Sequence, residues 1–258
     1  METVPANPDS ESQPVQTSLW SRLLNVFTSP GDVFEEVKIS KPSTANWLAP
    51  AFIFIIVGVI SAVVIFSQPA IVQQLRDQQA KVMDQQVKAG KLTQAQADQA
   101  LTMMEKFAGP TMLKIFGSVG AVFGSFAHIF WWAFVLWLMA QWFLKTKIPF
   151  LKAAEVAGLT TMILALGAVV TILLTVITGK LGMTPSLVLT VGDFDMKNKV
   201  HLLLAAVNIF SFWQISVSAC GLARLTGAPF SKALLLVFVY WLAFTLFFVG
   251  IGFGQMAM

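Results

Sequence analysis

The 258-residue sequence predicts an all-α integral membrane protein. The expected plan is five transmembrane helices, two parallel helix-hairpin repeats among them, and a helical hairpin outside the membrane. Three features carry that expectation. First, 56% of the residues are hydrophobic and only 12% are charged, about half the charge of an ordinary soluble domain. Second, the apolar residues fall in five blocks, at about 48–67, 118–144, 153–178, 201–224 and 232–254. Each reaches the ~20 residues that cross ~30 Å of hydrocarbon. Third, an eight-residue pattern, Thr-x-x-Pro-Phe-x-Lys-Ala, occurs twice at an offset of 80 residues.

From the N-terminus, residues 1–17 are acidic and rich in Pro and Ser, without the early apolar core of a signal peptide. They read as a disordered tail. Residues 18–46 read as cytoplasmic amphipathic helices. In the first, Trp20, Leu23, Leu24 and Phe27 share one face and Ser21, Arg22 and Asn25 lie opposite. This helix is too short to span, and its apolar face suits either the lipid interface or the bundle's own cytoplasmic face. In the second, Ser29 stands at the N-cap, Pro30 at the first helical position, and acids fill the first turns. The membrane domain then occupies 47–258.

Between spans one and two, residues 69–109 are Gln-rich with mixed charges. Ile71, Leu75, Val82 and Met83 make one stripe, and Ala97, Ala100, Leu101, Met104 and Phe107 a second. Ala89-Gly90-Lys91 is the break, and Thr93 with Gln96 forms a capping box. The two stripes zip to each other or present a docking surface. Span two has no stop signal from Thr111 to Leu144, a length of about 51 Å as helix. It either projects beyond the bilayer or bends among Gly117, Gly120 and Gly124. Gly120-x-x-x-Gly124 also fits close helix packing.

The repeated pattern is Thr146, Pro149, Phe150, Lys152 in the first copy and Thr226, Pro229, Phe230, Lys232 in the second. Each Pro stops the preceding helix, each Phe suits the interface, and each Lys can snorkel to phosphate. Two spans separate the loops, so both belong on one side of the membrane. Spans two–three and four–five then read as parallel repeats about an axis along the membrane normal. The same offset equates His128 with Asn208. In the fourth span Asn208, Ser211, Gln214 and Ser218 lie within an arc of ~120°. With His128 they form an expected polar seam between spans two and four. Mutual hydrogen bonding between helices, a polar or proton-relay pathway, and a metal or head-group site all remain open for it.

Other chemistry is sparse. The sequence has two histidines and one cysteine, Cys220, and no HExxH, CxxC or G-x-S-x-G motif. Asp193 and Asp195 beside Lys197, Lys199 and His201 read as a solvated turn before they read as a metal or phosphate site. Gly250, Gly252 and Gly254 suit close packing in the last span. Glu155 suits the N-terminus of span three and can pair with Lys152. No cofactor, no metal site and no catalytic set is expected. No basic cluster has an aromatic platform beside it, which argues against nucleic acid.

Three stretches together resemble the Yip family, named for membrane proteins that interact with Ypt/Rab GTPases, and its bacterial members most closely. They are LLNVFTSPGDVFEEV (Leu23–Val37), KIPFLKAAEVAG (Lys147–Gly158) and NIFSFWQISVSACGLARLTGAPFSKAL (Asn208–Leu234). The resemblance covers most of 20–245 outside the hairpin 69–109. It implies five spans, a cytoplasmic N-terminus and, for a bacterial member, the inner membrane. Basic residues alone divide eight against nine between the two sides, although KTKIPFLK is dense in lysine. Eukaryotic members are linked to vesicle trafficking and Rab partners and have a cytoplasmic DLYGP-type motif. This chain has SPGDVFEEV there, so no Rab-binding residues carry over.

The expected function is a non-enzymatic membrane scaffold or adaptor. Its partners are the bilayer and a protein at the N-terminal helices or the hairpin 69–109, with homo-oligomer formation open. The alternative is a transporter or channel for a small polar solute through the seam.

Overall fold

The computed structural model describes residues 17–107, 109–192, 194–195 and 198–251. The expected tail over 1–16, Asp193 and Lys197 of the acidic turn, the side chains of Met104 and Phe107, and Gly252 and Gly254 lie outside the described residues.

The elements in order are α1 (Leu19–Thr28), α2 (Pro30–Ile39), α3 (Ala45–Ile65), α4 (Pro69–Lys88), α5 (Gln94–Phe107), α6 (Pro110–Leu138) continued by a π-helical turn (Met139–Phe143), α7 (Phe150–Thr178), a 3-10 turn (Leu187–Thr190), α8 (Lys199–Ala206), α9 (Ile209–Thr226) and α10 (Phe230–Gly250). Four helical segments are long and apolar enough to cross a membrane: Ala45–Ile65, Pro110–Phe143, Phe150–Thr178 and Phe230–Gly250.

The segment expected as one span over 201–224 is instead divided. Asn208 has an extended backbone, and its Oδ1 accepts a hydrogen bond from the Phe210 N–H at 2.9 Å, which caps α9 and ends α8. An Asn side chain competes with the helical ladder for its own backbone donors, and here it wins. The backbone groups freed by the break are taken up by the loop before it. Leu187 N–H donates to Val207 O, and Ile209 N–H donates to Pro185 O. Non-helical backbone near membrane depth is tolerated where the protein itself satisfies it.

α3 is the central post, packing most extensively on α7 and α6. Two small-residue contacts bring α3 and α6 together. A Cβ on Gly58 would lie 2.7 Å from Ala121 Cβ, and one on Gly117 would lie 2.8 Å from Ala62 Cβ. The expected Gly120-x-x-x-Gly124 packing is not used, for nothing lies within 4 Å of a Cβ at either position. α6 is unbroken at its glycines. It is continuous from Pro110 and widens at the far end, where Leu144 N–H reaches Met139 O and Thr146 N–H reaches Ala140 O.

α1 and α2 lie against α7 and α9 at the end of the bundle that carries the turns 144–149 and 227–229. That end is the N-terminal face. α4 and α5 make a hairpin at the opposite end. The Thr93–Gln96 capping box is formed, with Thr93 N–H on Gln96 Oε1 at 2.9 Å and Gln96 N–H on Thr93 Oγ1 at 3.3 Å. Ile71, Val72 and Ala97 are buried in the hairpin. Gln74 ties α4 to the turn after α7, donating to Gly179 O at 2.6 Å and accepting from Leu181 N–H at 3.3 Å.

Candidate functional site

The first α-helix splits its expected apolar face in two. Leu23 and Val26 are fully buried against the bundle and Phe27 meets Trp213 edge-on at 5.8 Å, whereas Trp20 and Leu24 are exposed. Leu23 and Phe27 therefore belong to the core, leaving Trp20 and Leu24 to face outward. Arg22, expected on the water side, is buried as well. Its burial is explained by a chain of polar groups that crosses four elements.

Arg22 Nε donates to Glu36 Oε2 at 3.2 Å, and Arg22 Nη1 donates to Asn46 Oδ1 at 3.2 Å. Asn46 Nδ2 donates to Glu155 Oε2 at 2.6 Å, while Ser43 N–H donates to Glu155 Oε1 at 3.1 Å. Lys152 Nζ lies 3.0 Å from Glu155 Oε1, 2.5 Å from Val37 O and 3.4 Å from Ser40 Oγ. An ammonium has three donors, so Lys152 is fully used. Glu155 is 0% exposed. Arg22 and Lys152 balance Glu36 and Glu155, so the buried network is neutral.

Glu36 closes the network near its outer end. Burial pushes its carboxyl up, but hydrogen bonds from the Thr17 hydroxyl and N–H and the charge of Arg22 outweigh that and hold it below the ordinary carboxylate value. The sequence pointed to the Lys152–Glu155 pair. It gave no sign of Arg22, Glu36 or Asn46, which are far apart along the chain. The only local hint was that Arg22 is the one charged residue of the short helix α1.

From the proline onward the two repeated loops fold alike, although the first follows a π-helical turn with Lys145 at φ 55° and the second follows Gly227 at φ 71°. Pro149 (φ −62°, ψ 140°) and Pro229 (φ −57°, ψ 138°) each precede a helix that starts at the following Phe. Lys152 and Lys232 N–H both return to the Pro carbonyl, at 3.0 and 3.1 Å. Ala153 and Ala233 are both fully buried, and Phe150 and Phe230 are both exposed. Thr146 Oγ1 lies 3.5 Å from the carbonyl of its own equivalent, Thr226. The lysines differ. Lys232 is exposed, but Lys152 lies under α2 and cannot snorkel to a head group as the sequence suggested. Beside the second loop, a cavity of about 370 Å³ is lined by Glu35, Lys38, Cys220 and Arg224.

The polar residues of α9 divide between two neighbours. Gln214 Nε2 lies 3.4 Å from His128 Nε2, and Trp132 Nε1 donates to Ser218 Oγ at 3.0 Å. These pairs link α6 to α9. Asn208 and Ser211 do not join them: Asn208 is outside the helix as its N-cap, and Ser211, in the first turn, faces elsewhere. Those two residues line a separate cavity of about 200 Å³. Among the described residues no group of three His, Cys, Asp or Glu is placed to hold a metal ion.

Against known proteins, the family model for the Yip1 domain matches residues 24–251. No curated protein and no solved structure matches the chain.

Proposed function

The chain belongs to the Yip1 domain family, and from that premise we propose that it is a non-enzymatic membrane scaffold or adaptor. It is a multi-pass helical membrane protein. The observation that carries the adaptor reading is the buried network of Arg22, Glu36, Asn46, Lys152 and Glu155. Burying charge is costly unless every group is paired, and here the pairing fixes α1 and α2 as a rigid platform on the bundle. Trp20 and Leu24, 70% and 66% exposed, stand on that platform.

In this reading α8 and α9 together form one more crossing, the fourth of five in chain order, since the 18 residues of α9 alone span about 27 Å. The matched proline turns and the Thr146–Thr226 contact support parallel hairpin repeats. The N-terminal face is cytoplasmic, in a bacterial inner membrane, with Lys38, Lys41, Lys145, Lys147 and Lys232 supplying positive charge there. Photo-crosslinkers at Trp20 and Leu24 in native membranes test the proposal. A discrete protein adduct, absent when the crosslinker sits at lipid-facing Phe247, supports it. No adduct to any protein, including a second copy, removes it.

The second reading is passage of a small polar solute, favoured by the His128–Gln214 pair between α6 and α9. Flux into reconstituted liposomes that His128→Leu abolishes while the fold survives supports it. Leak equal to empty liposomes ends it.

A further inference from the structure

We infer that the cavity at the α8–α9 break is a binding site for a small uncharged polyol. It requires no flux and no protein partner, so it rests on neither reading above. It requires only that the chain cross a membrane.

The cavity lies among α3, α7, α9 and α10, with Thr184 of the preceding loop and the end of α8. Ser61, Thr171, Thr184, Asn208 and Ser211 supply its polar lining. It sits toward the hairpin end of the bundle. Asn208 is a full α9 length, about 27 Å, from the Thr226 turn, and Ser61 is one turn from the end of α3.

Serine and threonine in the apolar helices ordinarily bond to their own backbone. Ser125, Thr161, Thr171, Ser216 and Thr226 each donate to the carbonyl four residues earlier. Ser61 and Ser211 do not, as Ser118, Thr175 and Thr245 do not elsewhere in these helices, and what sets the two apart is that they share one cavity. Both are half-buried, both line the cavity, and among the described residues neither hydroxyl makes a hydrogen bond. A hydroxyl held at membrane depth without a partner is costly, and these two are turned toward the same space. Asn208 spends its Oδ1 on the helix cap, which leaves the amide Nδ2 as a donor there.

The ligand chemistry follows from the lining. No charged side chain contributes, so an ion or a zwitterion would enter without compensation. Hydroxyls both donate and accept, as the hydroxyls of a polyol do. Phe54, Phe210 and Trp241 complete the wall and offer apolar faces to the C–H side of such a molecule. The volume of about 200 Å³ is below the ~300–1,000 Å³ of sites that take drug-sized ligands. It suits a short-chain polyol and excludes a disaccharide.

Cys220 is the only cysteine, so a Cys220→Ala background allows a clean test in lipid nanodiscs, where both faces meet reagent. Ser61→Cys and Ser211→Cys would each be exposed to a small neutral, water-soluble methanethiosulfonate, which reacts only with the thiolate and so only where water reaches the sulfur. Ile60→Cys, at the same depth but facing outward with 50% exposure, is the control. Labelling is expected at 61 and 211 and not at 60. Erythritol at about twice its dissociation constant should slow labelling about threefold, by the factor 1 + [L]/Kd, and sucrose at equal osmolarity should not. No labelling above the Ile60 control overturns the site. Labelling that erythritol leaves unchanged, a hydrated pocket without a ligand, overturns it equally.

Discussion

The turn at 146–153 and the turn at 226–233 share sequence, the angles of their prolines and a buried alanine, yet their lysines live in different media. Lys152 is enclosed by Glu155, Val37 and Ser40, and Lys232 is exposed. Eighty residues after Glu155 stands Leu235, 61% exposed, and eighty after Gly158 stands Phe238. The backbone of a turn is a local property, set by Pro and by the helix that follows it. The surroundings of its side chains are not local. Here the single-copy segment α1–α2 covers one turn more closely than the other, and the first repeat carries the ionic residues that hold it.

The sharpest way to break this asymmetry is to give the first turn the residue of the second. Glu155→Leu strands the buried Lys152 ammonium, and removing one partner of a buried pair typically costs about 3–5 kcal/mol. Thermal unfolding in detergent should show a large loss, and Lys152→Met/Glu155→Leu should recover much of it. If the double variant is no better than the single, the ion pair is not what the first turn depends on.

Gly158→Ala comes next. Its Cβ would lie 2.3 Å from Trp47 Cα, a backbone atom that cannot rotate away, and overpacking of this kind costs about 1–3 kcal/mol. A drop in denaturation midpoint checks it, and an unchanged midpoint would mean that α3 and α7 can separate freely.

Acid acts on the outer end of the same network. Glu36 has a folded-state value below the ordinary one, so its contribution is present above the unfolded carboxylate value and is lost as pH falls through the folded value. Limited proteolysis of the α1–α2 segment should therefore accelerate only below the usual carboxylate range. Glu36→Gln should flatten that pH dependence, and a profile identical to wild type would exclude Glu36 as its source. The smallest effect belongs to Lys232→Met, expected within ~0.5 kcal/mol because an exposed side chain away from special features contributes little. Equal losses for Lys232→Met and Lys152→Met would erase the contrast between the turns.

Much of this architecture was legible because its signals are periodic or local. Four apolar blocks, the Thr93 capping box, the proline turns and the 80-residue offset all reside in short windows. The division of 201–224 was harder, because hydropathy is continuous across it. The signal was present, however, in an Asn at the head of an apolar run, which is also how an N-cap reads. Reading Asn208 as a seam residue used its polarity and overlooked its capping geometry. The ionic network had no such signature. Arg22 and Asn46 are 24 residues apart, and Asn46 and Glu155 are 109 apart, so only the packing of α1, α2, α3 and α7 brings them together. The pairing of Gln214 with His128 fell between these cases. The face was readable from helical spacing, but the partner's height depended on where α9 begins.

The widened turn at Met139–Phe143 gives α6 a form of slack. A π-helical turn accommodates one more residue than the α-helix needs for the same advance. Deleting a residue there would return the helix to ordinary winding with the faces on either side unshifted. The same deletion anywhere between His128 and Leu138 would swing the remainder through about 100° and misalign either His128 or Thr146. The longest helical segment thus carries one residue beyond what ordinary winding needs, and it lies next to the turn where the first hairpin reverses.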